Sequence, residues 1–209
     1  MNRAMTPAMK RTAALLLAAV AGCALAPAST GPSEGDVQNV LERDFHARGS
    51  AKMDRIPQDR LQRVCTETRD RPAADVAKAL EAEQMKTIVY PEGSLIGDWK
   101  RGDKSAQDGR GMTWNDKPGH QAGGSCYNCH QLSPKEMSYG NVGPSLTGFG
   151  KTRGNTPETQ RYVYGKIYNA KAYNACSQMP RFGTSGTLTP EQIKDFVALL
   201  LDPASPVNQ

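Results

Sequence analysis

Cysteine, histidine, aromatic residues and long apolar runs are all scarce in this sequence. The 209 residues include 5 cysteines and 3 histidines, so a close grouping of these two residue types is rarely a matter of chance. After residue 26, no apolar stretch reaches the roughly 20 residues of a transmembrane helix. No stripe of Lys and Arg indicates a nucleic-acid partner. No internal repeat occurs, and the length suits one compact domain with an appended layer.

Residues 1–26 have the composition of a secretory signal peptide. An apolar run at residues 13–21 follows a basic start formed by Arg3, Lys10 and Arg11. This leader holds three basic residues and no acidic one, so the formal net charge of +5 falls to about +2 once it is removed. The sequence therefore predicts an exported protein of the periplasm with a nearly neutral mature chain.

Three patterns compete for the processing site of this leader. Residues 24–26 read A-L-A and residues 26–28 read A-P-A, both of which are typical of signal cleavage. Residues 20–23 read V-A-G-C and resemble a bacterial lipobox, in which Cys23 would be acylated. Contact with a membrane is expected only if Cys23 carries lipid.

The scarce cysteines and histidines come together at residues 126–130, which read C-Y-N-C-H. This C-x-x-C-H spacing is the attachment signature of a c-type haem. One turn of backbone presents the Cys126 and Cys129 thiols to the two vinyl groups of one porphyrin, and His130 then lies under the iron. A redox pair or half of a zinc site shares the Cys-x-x-Cys spacing, but no second Cys-x-x-Cys completes a zinc tetrahedron. We predict one covalent haem c.

Iron bound through His130 either takes a second axial ligand or keeps an open position. Met179 is the favoured ligand, because methionine is the precedent in cytochromes c and Pro180 stiffens the loop that must aim the sulfur. The alternative is that Met179 fills a gap in the core. A thioether raises the reduction potential and fills the iron, which argues against peroxidase or oxygen chemistry.

Other methionines and histidines are weaker candidates for the second ligand. His120 is the main rival, although it lies in a Gly-rich loop where we expect it to be solvated. Met137 follows the motif too closely to reach the opposite face of the haem. His46 is predicted on a helix among charged residues, where we expect it to be exposed.

Cys65 and Cys176 remain after the haem cysteines and Cys23 are assigned. An even pair in an oxidising compartment predicts a disulfide. This bond would join an N-terminal helical layer to the loop of Met179. Two free or intermolecular thiols are the alternative, because sequence gives no distance.

Helical spacing predicts an all-α protein. The last helix is the clearest, because Thr189 and Gln192 form a capping box with Pro190 at the first helical position. In a helix over about residues 73–85, we expect Val76, Ala79 and Leu80 to face inward. Other helices are predicted from Ser33 to about Gly49, after Pro57, over 97–107 and over 156–169.

The order of these features resembles the class I cytochromes c. In that family a helix precedes the haem motif, a Gly-Pro-x-Leu segment follows it, and a C-terminal helix crosses the first. By this resemblance, the carbonyl of Pro144 accepts a hydrogen bond from His130 Nδ1 and fixes the ring. The implied organisation is a signal peptide at 1–26, a linker at 27–33, a helical extension at 34–95 and a class I cytochrome c-like haem domain at 96–209.

Longer segments resemble the SoxX family, the mono-haem subunits of the SoxAX cytochromes of bacterial sulfur oxidation. The resemblance is carried by G-D-W-K at 97–100, G-S-C-Y-N-C-H at 124–130, G-P-S-L at 143–146, M-P-R-F-G at 179–183 and L-D-P at 201–203. The segments C-Y-N-C-H-Q-L and M-P-R-F-G are the part that is specific to this family, since C-x-x-C-H alone indicates any cytochrome c.

This resemblance implies partners and a role. A SoxA-type haem subunit would form a heterodimer with this chain and join a thiosulfate sulfur to a cysteine of the SoxYZ carrier. The electrons released would pass through the haem of this chain to a small cytochrome c, so no catalytic residue is expected here. The alternatives are a free-standing periplasmic electron carrier and an enzyme with an open haem, such as a peroxidase.

Overall fold

A computed structural model of the chain describes residues 31–117 and 119–209. The predicted signal peptide, its processing patterns and Cys23 lie outside these residues. By its backbone contacts the chain divides into two units, Met1–Phe45 and His46–Gln209. Across the described ranges, no helix is both long and apolar enough to span a membrane.

The described part of the first unit contains one helix, α1 (Glu34–Asp44). It begins at a capping box in which Ser33 and Asp36 satisfy each other's backbone amides, and none of its residues is buried. The helix ends before Phe45, so the prediction that it continues to about Gly49 is wrong. His46 therefore lies outside a helix, although it is exposed as expected. The backbone turns here because Gly49 has a positive φ and Arg48 pairs with Ala51.

The second unit is built from helices joined by long loops. Apart from the isolated bridge at Arg48, its described residues form no strand, which agrees with the predicted all-α fold. Short helical turns also lie outside the predicted helices, at Met53–Arg55, Phe149–Arg153, Ala170–Ala172 and Pro206–Asn208. The α-helices are α2 (Arg60–Glu67), α3 (Ala74–Met85), α4 (Trp99–Gln107), α5 (Phe149–Arg153), α6 (Pro157–Tyr168) and α7 (Pro190–Leu201).

The main hydrophobic core forms where α7 packs against α4, α5 and α6. The capping box at Thr189 and Gln192 starts α7 with Pro190 in its first turn. Nearly every later residue of α7 is buried, because other helices cover it on several sides. The buried members of this core include Ala106, Leu132, Val163, Tyr164, Ile193, Phe196, Val197 and Leu201.

Glycine allows α4 and α7 to approach closely. A Cβ on Gly102 would overlap the backbone carbonyl of Asp195 and lie 3.1 Å from the Cβ of Leu199. The buried Asp195 carboxylate accepts two hydrogen bonds from the Arg101 guanidinium, at 2.8 and 2.9 Å, and one from the Asp98 amide at 2.7 Å. These donors compensate the cost of burying a charge at the crossing.

A second, smaller core lies between α2, α3 and the chain just before Met179. It consists of Leu61, Cys65, Leu80 and Ala175. Of the three residues predicted to face inward from α3, only Leu80 is buried, and the prediction for Val76 and Ala79 is wrong. The buried face of α3 instead follows Ala77 and Leu80, because the chain around residues 169–176 covers that side of the helix.

Substitution of Gly102 by alanine tests the close crossing of α4 and α7. We expect Gly102→Ala to lower the free energy of unfolding by about 1–2 kcal/mol, because overpacking outweighs the gain in helix propensity. Urea denaturation measures this difference. The control is Gly35→Ala in α1, where the new Cβ would meet nothing closer than 3.7 Å. Equal stability of the two variants would contradict a tight crossing.

Candidate haem-binding site

The two motif cysteines are presented by one tight turn. Cys126–Asn128 is a 3-10 turn, and the amides of Cys129 and His130 both donate to the Cys126 carbonyl, at 3.1 and 2.9 Å. Gly124, just before the turn, lies so close that a Cβ there would be 2.8 Å from the Phe196 ring of α7. The turn is therefore pressed against the main core, and both thiols are free and partly buried.

The burial of the Cys126 sulfur distinguishes this motif from a thiol–disulfide redox pair. Burial of the sulfur raises the pKa of the Cys126 thiol to about 12, so this group is a neutral thiol at pH 7. Catalytic Cys-x-x-Cys pairs depend on the opposite shift, which makes the thiolate available. The environment of Cys126 thus disfavours the thiolate on which thiol–disulfide exchange depends.

His130 is oriented by a segment that returns after the motif. Its Nδ1 lies 2.7 Å from the Pro144 carbonyl oxygen, which can only accept, so the proton is on Nδ1 and Nε2 keeps its lone pair. Backbone hydrogen bonds of 2.8 Å connect the two segments, from Gly143 to Cys129 and from Leu146 to Gln131. The imidazole also packs so closely on Gly143 that a Cβ there would overlap the ring.

Met179 is the only one of the proposed second ligands that packs against the main core. Its side chain is partly buried there, as is Cys126, and its amide donates to the Ser177 hydroxyl at 3.2 Å. His46 and His120 are exposed, and the side chain of Met137 is 97% exposed. The structure thus brings Met179 to the same core as the motif and leaves its rivals at the surface.

Cys65 and Cys176 are bonded to each other. Their sulfurs are 2.03 Å apart and their Cα atoms 5.6 Å apart, across 111 residues of sequence. The bond connects α2 to the chain three residues before Met179. The structure therefore contains a disulfide, and not two free thiols, at these positions.

The residues present fit a haem c. Two thiols and one imidazole with a free Nε2 are the groups that attach and ligate a haem c, and a thioether is one of the second ligands that its iron takes. The buried Tyr164 hydroxyl has no hydrogen-bond partner among the described residues, and burial raises its pKa to about 12, so it stays a donor. An unsatisfied buried hydroxyl costs about 1–3 kcal/mol, which an acceptor on a bound group would recover.

Sequence reasoning missed Gly143 as part of this site, and it missed that the Tyr164 hydroxyl in the main core has no hydrogen-bond partner among the described residues. For Gly143 a signal was present, since a glycine directly before Pro144 allows a backbone to approach a ring. For Tyr164 no sequence signal existed, because the absence of a partner depends on how α6 packs.

Substitution of Gly143 tests the packing against His130. We expect Gly143→Ala to turn the imidazole or displace the 140–146 segment, with a loss of about 1–3 kcal/mol in the free energy of unfolding and less covalently bound haem per chain. Denaturation and haem quantification measure the two effects. The matched control is Val142→Ala, whose side chain is 73% exposed. If both variants bound haem equally, Gly143 would have no special role.

Comparisons with known proteins agree with this geometry. The cytochrome c family model matches residues 117–202, which include the motif, the Pro144 segment, Met179 and α7. An uncharacterized lipoprotein of Aquifex aeolicus (strain VF5) is 40% identical over 157 residues, which is 73% of this chain and 73% of the relative. The predicted class I cytochrome c-like fold is confirmed by the family match and the helical structure. Residues 117–202 therefore form a domain of the cytochrome c family, in which a covalently bound haem c transfers electrons.

Proposed function

We propose that this protein binds one haem c through Cys126 and Cys129, with His130 and Met179 as axial ligands. The observation that carries the proposal is the 2.7 Å contact of His130 Nδ1 with the Pro144 carbonyl, on the same turn that presents both thiols. This contact aims Nε2 away from Pro144 and leaves it free to ligate. The packing of Met179 against the core that contacts Cys126 supports it as the second ligand.

The protein residues determine what such a site can do. When bound, the haem supplies a one-electron redox centre. The Pro144 carbonyl makes His130 a more basic and better oriented ligand. The soft Met179 sulfur favours the ferrous state and raises the potential, so the chain accepts electrons readily. With His130 and Met179 both holding the haem iron, the site would relay electrons and would not bind a substrate at iron.

We further propose that the chain is the electron-transfer subunit of a SoxAX-type complex. The resemblance at residues 124–130 and 179–183 supports this assignment. In the reaction of a SoxAX-type complex, a cysteine of the carrier protein loses its S–H proton to solvent and forms an S–S bond with thiosulfate. This step releases two electrons. The chemistry lies on the partner, and a single haem here requires that the two electrons leave one at a time.

Export and membrane attachment are also proposals for this chain. Cys23 lies in V-A-G-C, and the Aquifex relative is named a lipoprotein. Both observations support acylation of Cys23, which would place the haem domain on the outer side of the membrane. With only this lipid anchor, the protein would reach its partners by diffusion along the membrane surface.

Removal of the Met179 sulfur tests the second ligand. We expect Met179→Ala to abolish the near-infrared charge-transfer band of methionine-ligated ferric haem and to lower the reduction potential by on the order of 0.1 V. Absorption spectra and redox titration measure both. Met137→Ala is the matched control, since its side chain is 97% exposed and should leave the band intact. Retention of the band in Met179→Ala would disprove this ligation.

Purification from the native host tests the partner and the anchor together. We expect a second haem protein to co-purify at a fixed 1:1 ratio, and intact mass to show a lipid on Cys23 as the mature N-terminus. A chain that purifies alone would support the free-standing carrier instead. A mature N-terminus at residue 27 without lipid would disprove acylation of Cys23.

A further inference from the structure

The chain on either side of Met179 is held by helices outside the main core. We call residues 175–181 the methionine loop, and α2 with α3 the clamp. The second core, formed by Leu61, Cys65, Leu80 and Ala175, packs the start of this loop against both helices of the clamp. The Cys65–Cys176 disulfide lies at the same place. One end of the loop is thus fixed by burial and by a covalent bond.

Polar contacts from α3 and from the turn that follows α2 reach the rest of the loop. The Ala175 amide donates to the Glu81 carboxylate of α3 at 3.1 Å. The Gln178 side chain, directly before Met179, donates to the Asp70 carboxylate at 3.2 Å. These contacts hold the loop up to the residue that precedes the sulfur.

Beyond Met179, the clamp holds the loop through Arg181. Its guanidinium pairs with the Asp59 carboxylate at 2.6 Å and donates to Gln84 of α3 at 3.4 Å. The Arg181 side chain is only 20% exposed, so this pair is less screened than a surface ion pair. Asp59 also caps α2 by accepting from the Gln62 amide at 2.8 Å. Contacts therefore lie on both sides of Met179.

We propose that the clamp positions the Met179 sulfur on the haem iron, with Cys65 and Asp59 as its principal positioning residues. This inference rests on the proposed ligation by Met179. A loop with few fixed points opens easily, and an open loop would release the thioether. Anchors at residues 175, 176, 178 and 181 restrict the loop to conformations near the ligating one. By this proposal, α2 and α3 keep Met179 in place as the second ligand.

Competition by imidazole measures how firmly the methionine loop is held. Imidazole binds ferric iron when the thioether leaves, and loss of the near-infrared methionine band follows the exchange. We expect Cys65→Ser/Cys176→Ser to bind imidazole about tenfold more tightly than wild type, because a long-range cross-link is lost. We expect Asp59→Asn to bind it about two- to threefold more tightly, since one partly exposed ion pair is lost.

The control for these variants is Glu83→Gln. Its carboxylate pairs with Arg60 at 2.7 Å between α2 and α3, and no contact of Glu83 with the methionine loop is present among the described residues. Glu83→Gln removes one negative charge, as Asp59→Asn does. The asparagine of Asp59→Asn also keeps the α2 cap. We expect wild-type imidazole affinity in Glu83→Gln. If the double variant fails to fold, Asp59→Asn against Glu83→Gln decides the question.

Two outcomes would overturn the inference, and they differ. If wild-type protein itself lacks the methionine band, ligation by Met179 is wrong, and the positioning role of the clamp is wrong as well. If wild type has the band but the clamp variants bind imidazole no more tightly than Glu83→Gln, only the positioning role is wrong.

Discussion

The hydrogen bond between His130 Nδ1 and the Pro144 carbonyl is the constraint on which the site depends. It fixes the tautomer and the direction of the imidazole. The geometry exists because residues 140–146 are paired by backbone hydrogen bonds to the motif, and because the motif turn is pressed on α7 through Gly124. The close crossing of α4 and α7 in turn provides the core beneath it. Packing, backbone pairing and ligand orientation are thus one connected arrangement.

The two sides of the proposed haem site are built differently. The His130 side belongs to the main core and is held by backbone hydrogen bonds to residues 140–146. The Met179 side chain also packs against the main core, but the loop that carries it rests on a second core of only a few buried side chains, supplemented by a disulfide and an ion pair. A small core contributes little stability alone, so cross-links and charge pairs matter more there. The proposed clamp gives a role at this site to α2 and α3, which lie before residue 96. The predicted domain boundary at that position stays a prediction.

Local signals predicted much of the fold. The capping box located the start of α7, and the C-x-x-C-H spacing located the motif turn, because both depend on residues within one turn of helix. The burial of Val76 was predicted wrongly, since periodicity gives the spacing of a helical face and not which neighbour covers it. The Asp59–Arg181 pair joins residues far apart in sequence and follows only from the docking of α2. Resemblance, and not periodicity, pointed to Pro144.

A mass spectrum of the proteolysed protein, expressed in a host that matures c-type cytochromes, tests the central claim most directly. One haem bound to one chain through two thioether bonds requires a single peptide containing both Cys126 and Cys129 with the mass of one haem added. The same spectrum should show residues 65 and 176 joined in one disulfide-linked pair of peptides. A peptide over residues 126–130 with two unmodified thiols would contradict the proposal, and with it the electron-transfer role assigned to this site.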